Sequence, residues 1–523
     1  MRNRSRRSEP SRRTILKAIG TVAVVGAVQP WILQEASAAR EVIRAAITGF
    51  DVLNTLDPGK ASLIQEYFVI WSMFNGLLKF APNMEIVPDL AAEYKAIDSR
   101  TFEFRLRPGV KFHDGSELSA DDVKFTFDRL LDERFASPYR TKLAVIDSVT
   151  VVDPLTVRIA TKEPYAPILT LLCNFRTGTQ IVSRKSVEAM TPEAFGRKPI
   201  GTGAHMLKDW IPGERVILTA HPHYFMPGLP RTPTIEVPLI AEESSGETAI
   251  LGGQIELTSG APFADVPNLE KRTEIVVLKQ PGLNNRYIAL NNRKAPFDDV
   301  HFRRALSMAF DRNVMVKAVL FGEGAVAQGL IPPTLTFAYD SKPRDLATFD
   351  AERARAELSS SQHGAATEAA VLTWGSSWWK RVVEIFVAQV NETLGTRLSV
   401  EVSESNTVYS RLRSGDYQAA VWGWLGVVDP DDLYDILHSK GWRNFQGYAN
   451  PKLDDALEEA RAELDRRKRG EMYKVIEATM IEDMPLIPCF FSNIQNLLRR
   501  DVQGFTQLPY SNFGDQFATL TAP

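Results

Sequence analysis

Residues 101–127 read TFEFRLRPGVKFHDGSELSADDVKFTF, and this stretch decides the fold class. Phe102, Phe104 and Leu106 alternate with Glu103, Arg105 and Arg107, the period-two pattern of a half-buried strand. Pro108-Gly109 turns the chain, Val110-Lys111-Phe112 begins a second strand, and Asp114-Gly115 turns it again. Ser119 lies three residues before Asp122, which predicts an N-cap with a capping box ahead of a helix. Val123, Phe127 and Leu130 supply that helix's apolar stripe. Nothing in the stretch is catalytic; it is architecture.

Working outward, 523 residues are too many for one compact core and predict two or three domains. A hydrophobic share of 44% and a charged share of 24% describe a globular body. The net charge of −3 is uneven: residues 1–38 carry +5 and the remainder −8. That balance leaves no basic surface for nucleic acid. Ser11-Arg12-Arg13-Thr14-Ile15-Leu16-Lys17 matches the twin-arginine export pattern. An apolar run from Ala18 to Val28 follows, then Ala36-Ser37-Ala38, the small-x-small pattern of a signal-peptidase site. The run is about half of the ~20 residues that a membrane-spanning helix needs. The expectation is an exported, soluble, periplasmic protein cleaved near Ala38, with an uncleaved anchor as the alternative. Cys173 and Cys489 either pair or stand as two buried thiols, and the thiols are the working expectation.

Val42–Ile47 reads as a strand running into the turn Asn54-Thr55-Leu56-Asp57-Pro58, and helical spacing resumes through Ile64, Phe68, Trp71 and Phe74. Val149–Ile159 forms a hairpin about Asp153-Pro154. Pro199–His205 is glycine-rich but lacks the phosphate-loop pattern, so it reads as a structural turn. His221 and His223 would project from one face of a strand, yet no third ligand stands at a metal-site spacing. Val371–Trp374, an amphipathic helix with Val383, Phe386 and Val390, and Leu398–Val402 make the strand–helix–strand unit of a parallel sheet. Ligands bind at the strand-end loops of such sheets, which nominates Trp374 and Trp378. The charge run Glu458–Arg469 reads as the solvated face of a helix starting near Asn450-Pro451.

The 101–127 order of strand, Pro-Gly, strand, Asp-Gly and capped helix resembles the family 5 extracellular solute-binding proteins, the dipeptide/oligopeptide-binding components of ABC importers. So do the hairpin about Asp153-Pro154, the turn Pro199–His205, the block Leu290–Arg312 and the segment Ala419–Asp432. The resemblance runs from about residue 40 to the end. It implies an α/β, two-lobed periplasmic binding protein-like fold of type II with an extra subdomain, hinged by two crossing strands near 290 and 488. Lobe I would comprise 39–85, 200–293 and 489–523, the inserted subdomain 86–199, and lobe II 294–488. By position in the family, Ala61, Ser62, Leu63, Trp422, Gly423, Trp424, Val427, Asp429 and Ser492 join Trp374 and Trp378 as ligand-binding candidates. A tryptophan closing on a solute buries ~150–250 Å², very roughly 4–6 kcal/mol gross. The alternative is that these tryptophans are core residues of a strand.

The pattern departs at one point. Peptide-binding members place an aspartate for the peptide ammonium three residues after the tryptophan, and Val427 stands there in this chain. Burying an ammonium without its carboxylate costs ~3–5 kcal/mol. A small organic solute without a free ammonium is therefore expected over a peptide. No G-x-S-x-G, H-E-x-x-H or recognised Cys/His spacing occurs, so no catalytic residue, metal or cofactor is expected. The implied partners are a small-molecule or peptide ligand and a membrane permease with its cytoplasmic ATPase, served by a monomer. The rival readings are an exported hydrolase and a periplasmic sensor or chaperone reusing the fold.

Overall fold

The computed structural model describes residues 40–375, 377–510 and 514–523. The export signal read in residues 1–38 lies outside them. Two regular systems organise the described chain. One is a mixed twelve-stranded sheet with the path Arg397–Ser403, Glu368–Trp374, Ala419–Leu425, Asn284–Leu290, Leu486–Arg499, Leu257–Thr258, Val42–Thr48, Thr234–Ile240, Arg215–Ala220 and His205–Ile211. Ile275–Pro281 and Gly324–Val326 attach to Leu486–Arg499 beside this path. The other is a separate four-stranded meander of Ala91–Ala96, Thr101–Leu106, Thr156–Thr161 and Ile146–Asp153.

The 14-residue strand Leu486–Arg499 joins the two ends of the large sheet. Its first half pairs antiparallel with Asn284–Leu290, and its second half pairs with Ile275–Pro281. These partners are consecutive in sequence, separated only by Gly282 and Leu283. Two neighbouring strands thus carry the chain across the middle of the sheet together.

Local chemistry explains the elements. Thr101–Leu106 turns Phe102, Phe104 and Leu106 into the core as its alternation requires. The helix Ala120–Leu131 starts at Ser119, whose backbone N–H and hydroxyl both donate to the Asp122 carboxylate (3.0 and 2.9 Å), and buries Val123, Phe127 and Leu130. Glu368–Trp374 and Arg397–Ser403 are parallel, joined by the helix Ser377–Leu394. Cys173 and Cys489 are buried and unpaired. No helix among the described residues is long and apolar enough to cross a membrane.

His221 and His223 sit in a turn after the strand Arg215–Ala220, the turn that this segment's family resemblance implies, where Pro222 removes a ladder donor. Two local expectations are corrected. Val110–Phe112 is not a strand: flanked by two turns, it reaches only one isolated bridge, Lys111 to Glu117. The Glu458–Arg469 run spans the end of one helix, Pro451–Ala462, and the start of another, Arg466–Asp483. Arg461 and Arg469 leave its solvated face and turn inward to aspartates.

Candidate aromatic solute cleft

The parallel strands Glu368–Trp374 and Ala419–Leu425 end on the same edge of the sheet, where the antiparallel neighbour Asn284–Leu290 begins. That carboxyl edge is where open α/β sheets bind ligands. Trp374 ends its strand 4.2 Å from the ring of Trp379 and 5.6 Å from that of Trp422. Trp378, in the first turn of the helix Ser377–Leu394, lies 4.7 Å from Trp379 and 5.7 Å from Phe490. Trp422 stacks on Tyr409 (5.8 Å) and meets Phe445 edge-on. Trp424 meets Trp442 edge-on, and the Arg443 guanidinium lies 4.2 Å from its ring. Trp374, Trp378, Trp422 and Trp424 are half-buried, while Leu425 and Trp442 are 53% and 55% exposed. These four tryptophans pack against the core and keep part of their surface in water.

Facing this edge is a second aromatic group. Trp71 stacks on Phe175 (5.9 Å), and Tyr510 meets both edge-on. Phe175 reaches the turn after Leu425: a Cβ on Gly426, whose φ is +86°, would stand 3.2 Å from its ring. Ser62 is exposed, and its carbonyl accepts a hydrogen bond from Arg176 Nη2 at 3.1 Å. Ala61 is buried, with its carbonyl accepting from Tyr139 Oη. The N–H groups of Ser62 and Leu63 donate to Glu66, which closes a capping box at the start of the helix Ile64–Met73.

The remaining candidates are placed differently. Asp429 is inward: it accepts from Arg469 Nη1 and Nη2 (2.9 and 2.5 Å), Thr170 Oγ1 (3.0 Å) and Asp431 N (2.8 Å). Its four acceptor positions are taken within the protein. Burial raises its carboxyl, but Arg469 and these hydrogen bonds outweigh that and hold it below the usual range. Val427 is only 2% exposed, and its N–H bonds Leu283 O. Ser492 is buried, and its N–H and Oγ both bond Asn284 Oδ1. Gly423 keeps a close approach: a Cβ there would lie 2.4 Å from Asn285 O and 2.5 Å from Arg286 Cδ.

The other acids at this edge are engaged as well. Asp431 accepts from Arg461 Nε and Nη2 (3.1 and 2.8 Å), and Asp432 from Arg443 (3.0 Å). Among the described residues no cluster of three His, Cys, Asp or Glu could hold a metal ion. His113 and His221 meet edge to face at 5.0 Å and share one backbone acceptor. His113 Nε2 lies 3.1 Å from Gly203 O, and His221 Nδ1 lies 3.2 Å from the same oxygen.

The arrangement can enclose an apolar or aromatic-stacking solute. A family model described as "Bacterial extracellular solute-binding proteins, family 5 Middle" matches residues 85–445. The chain belongs to this family. It is similar to the glutathione-binding protein GsiB of Escherichia coli O1:K1 / APEC, at 26% identity over 93% of this chain and 95% of the relative. The dipeptide-binding protein of Escherichia coli strain K12 is 28% identical over 84% of this chain and 87% of its own length. The structure of HbpA2 from Haemophilus parasuis shares the fold, with a TM-score of 0.83 at 24% identity over 92% of this chain and all of that one. The family is one of extracellular solute-binding proteins, and the protein is a solute-binding protein.

The sequence alone missed Arg286, Trp379, Arg176 and the Trp442-Arg443 pair. Arg286 had a visible signal: it interrupts Asn284–Leu290, a strand buried along its whole length.

Proposed function

We propose that this protein is a periplasmic receptor that closes two lobes on a small organic or peptide-like solute and delivers it to an ABC permease. The observation that carries the reading is the row of half-buried tryptophans, Trp374, Trp378, Trp422 and Trp424, at one strand edge opposite the Trp71–Phe175 group. On this reading lobe I comprises 39–85, 200–293 and 489–523, the subdomain 86–199 and lobe II 294–488. The two crossing strands near 290 and 488 are the hinges, and they pair antiparallel where Asn284–Leu290 meets Leu486–Arg499. Ser62, Leu63 and Gly423 border the cleft. Trp374, Trp378, Trp422 and Trp424 line it, joined by Trp379 and Trp442.

A solute touching both walls stabilises the closed form by its differential affinity for that form. Small-angle scattering tests this directly: saturation with a bound solute should reduce the radius of gyration. An unchanged scattering curve at saturation refutes the clamp. The chain works as a monomer, exported through its twin-arginine segment and cleaved near Ala38. Mass analysis of the mature periplasmic protein checks the cleavage. Val427 at the ammonium position supports a solute without a free ammonium over an ordinary dipeptide.

A further inference from the structure

Building on that solute-binding reading, we propose that Arg286 is the anchor for a carboxylate of the bound solute. Its side chain is 7% exposed, and no carboxylate forms an ion pair with it among the described residues. Other buried arginines show what a structural role looks like. Arg303 donates from Nε, Nη1 and Nη2 to Met484 O, Phe297 O and Asp483 O. Arg312 likewise engages all three nitrogens, with Pro488 O, Ser307 O and Ser307 Oγ. Arg469 grips the Asp429 carboxylate through Nη1 and Nη2 and donates from Nε to Ala460 O. Arg286 uses Nη1 alone, toward Asn285 O (2.7 Å) and Trp424 O (3.2 Å). Its Nε is buried without an acceptor.

The surroundings form a slot. On one side position 423 is glycine, where a Cβ would stand 2.5 Å from Arg286 Cδ and 3.1 Å from Nη1. On the other side the rings of Trp378 and Trp379 lie 5.4 and 5.1 Å from the guanidinium carbon. Trp378 Nε1 is a second buried donor with no acceptor. The idle Nε–H and Nη2 edge presents two donors in the plane of one fork, which is the shape a carboxylate accepts, and the neighbouring indole N–H is a further unpaired donor. One cation matches one negative charge, whereas a phosphate dianion in so dry a place would call for a second. Burial lowers this guanidinium's pKa to about 10, so it remains charged at neutral pH. Leaving a buried charge and two buried donors unpaired is costly, and an occupant that pairs them removes the cost.

The test uses full-length mature protein stripped of small molecules by unfolding and refolding. The probe is the sub-kilodalton fraction of a bacterial extract, offered before and after carbodiimide amidation of its carboxyl groups and followed by native mass spectrometry. Wild type should gain a mass adduct from the untreated fraction and none from the amidated one. R286Q should bind that adduct at least ~100-fold more weakly, the loss expected when one side of a buried charge pair is removed. Its denaturation midpoint should equal or exceed that of wild type, because a neutral amide avoids the unpaired charge. R286K, with charge but no fork, should fall between. An adduct that survives amidation, or that R286Q retains within threefold, overturns the anchor. Should R286Q fail to fold, the amidation arm on wild type still decides. No adduct of any kind on wild type overturns the solute-binding reading, and the anchor with it.

Discussion

Replacing Asp429 with asparagine separates two roles that the sequence left superimposed. Asp429 is 9% exposed and Arg469 is 5% exposed, so both charges of this pair are out of water. In D429N the guanidinium would keep its Nε bond to Ala460 O at 3.2 Å and one neutral amide oxygen, but no carboxylate. Breaking a buried pair by neutralising one member costs ~3–5 kcal/mol, because the other charge stays buried. The guanidinium chloride unfolding midpoint at pH 7 should fall accordingly. The double variant D429N/R469M should recover most of the loss, since an apolar side chain requires no partner. The pH dependence has a definite sign. The folded-state pKa of Asp429 is depressed, so its contribution is complete above the unfolded value of about 3.9 and is lost as pH falls through the folded value. The wild-type midpoint should therefore decline more steeply in strong acid than that of D429N. A loss below about 1 kcal/mol in D429N, accompanied by loss of solute binding, would refute the reasoning and return the carboxylate to the ligand.

Gly423→Ala places a Cβ 2.4 Å from the backbone oxygen of Asn285, which cannot swing aside, and should cost ~1–3 kcal/mol in chemical denaturation. It should also shift tryptophan emission as Arg286 moves against Trp378 and Trp379; unchanged stability and emission would contradict the close approach. Val427→Asp, which restores the acid that peptide-binding members carry, buries an unpaired carboxylate and should lower the unfolding free energy by ~3 kcal/mol or more without creating peptide affinity. Calorimetric titration with a dipeptide checks the second half. His113 has its pKa pushed by burial down to about 3, against an unfolded value near 6.5. Its contribution is complete above pH 6.5 and is lost as pH falls toward 3, so H113Q should flatten the stability profile between pH 6.5 and 4.

Elements with strong local rules were legible in the sequence. The Ser119–Asp122 capping box, the alternation of Phe102, Phe104 and Leu106, and the Asp153-Pro154 hairpin each depend on neighbours a few positions away. The strand-edge tryptophans were legible for the same reason: a strand followed by a short loop and a helix fixes which end carries Trp374. What stayed hidden depends on distant partners. The bonds of Asp429 to Arg469 and Thr170, 40 and 259 positions away, are of this kind. The Glu458–Arg469 run looked solvated because charge pattern does not reveal which arginines face aspartates across a helix junction. Arg286 was overlooked because a lone cation in a strand gains meaning only when its partners can be counted. Gly423 was nominated by position, yet its role is to leave room for the side chain paired across from it.

The Asp429–Asp432 turn also bears on how the clamp closes. Besides holding its arginines, it takes hydrogen bonds from the segment assigned to the inserted subdomain: Thr170 Oγ1 to Asp429 at 3.0 Å and Tyr165 Oη to Asp431 at 3.2 Å. Ala166 N adds a backbone bond to Arg461 O at 2.8 Å. On the two-lobed reading all three cross the cleft mouth, so the closed form has bonds of its own before any solute contributes. A hydrogen bond to a charged group contributes ~1.5–3 kcal/mol. Removing one by Thr170→Val or Tyr165→Phe should shift unliganded protein toward the open form and weaken solute binding about tenfold. The arginine–aspartate pairs would stay intact, so thermal stability should change far less than in D429N. The expected signature is therefore a larger unliganded radius of gyration with reduced affinity at nearly constant melting temperature. If the melting temperature falls while affinity and radius hold, these bonds belong to one rigid body, and the hinge has to be sought elsewhere.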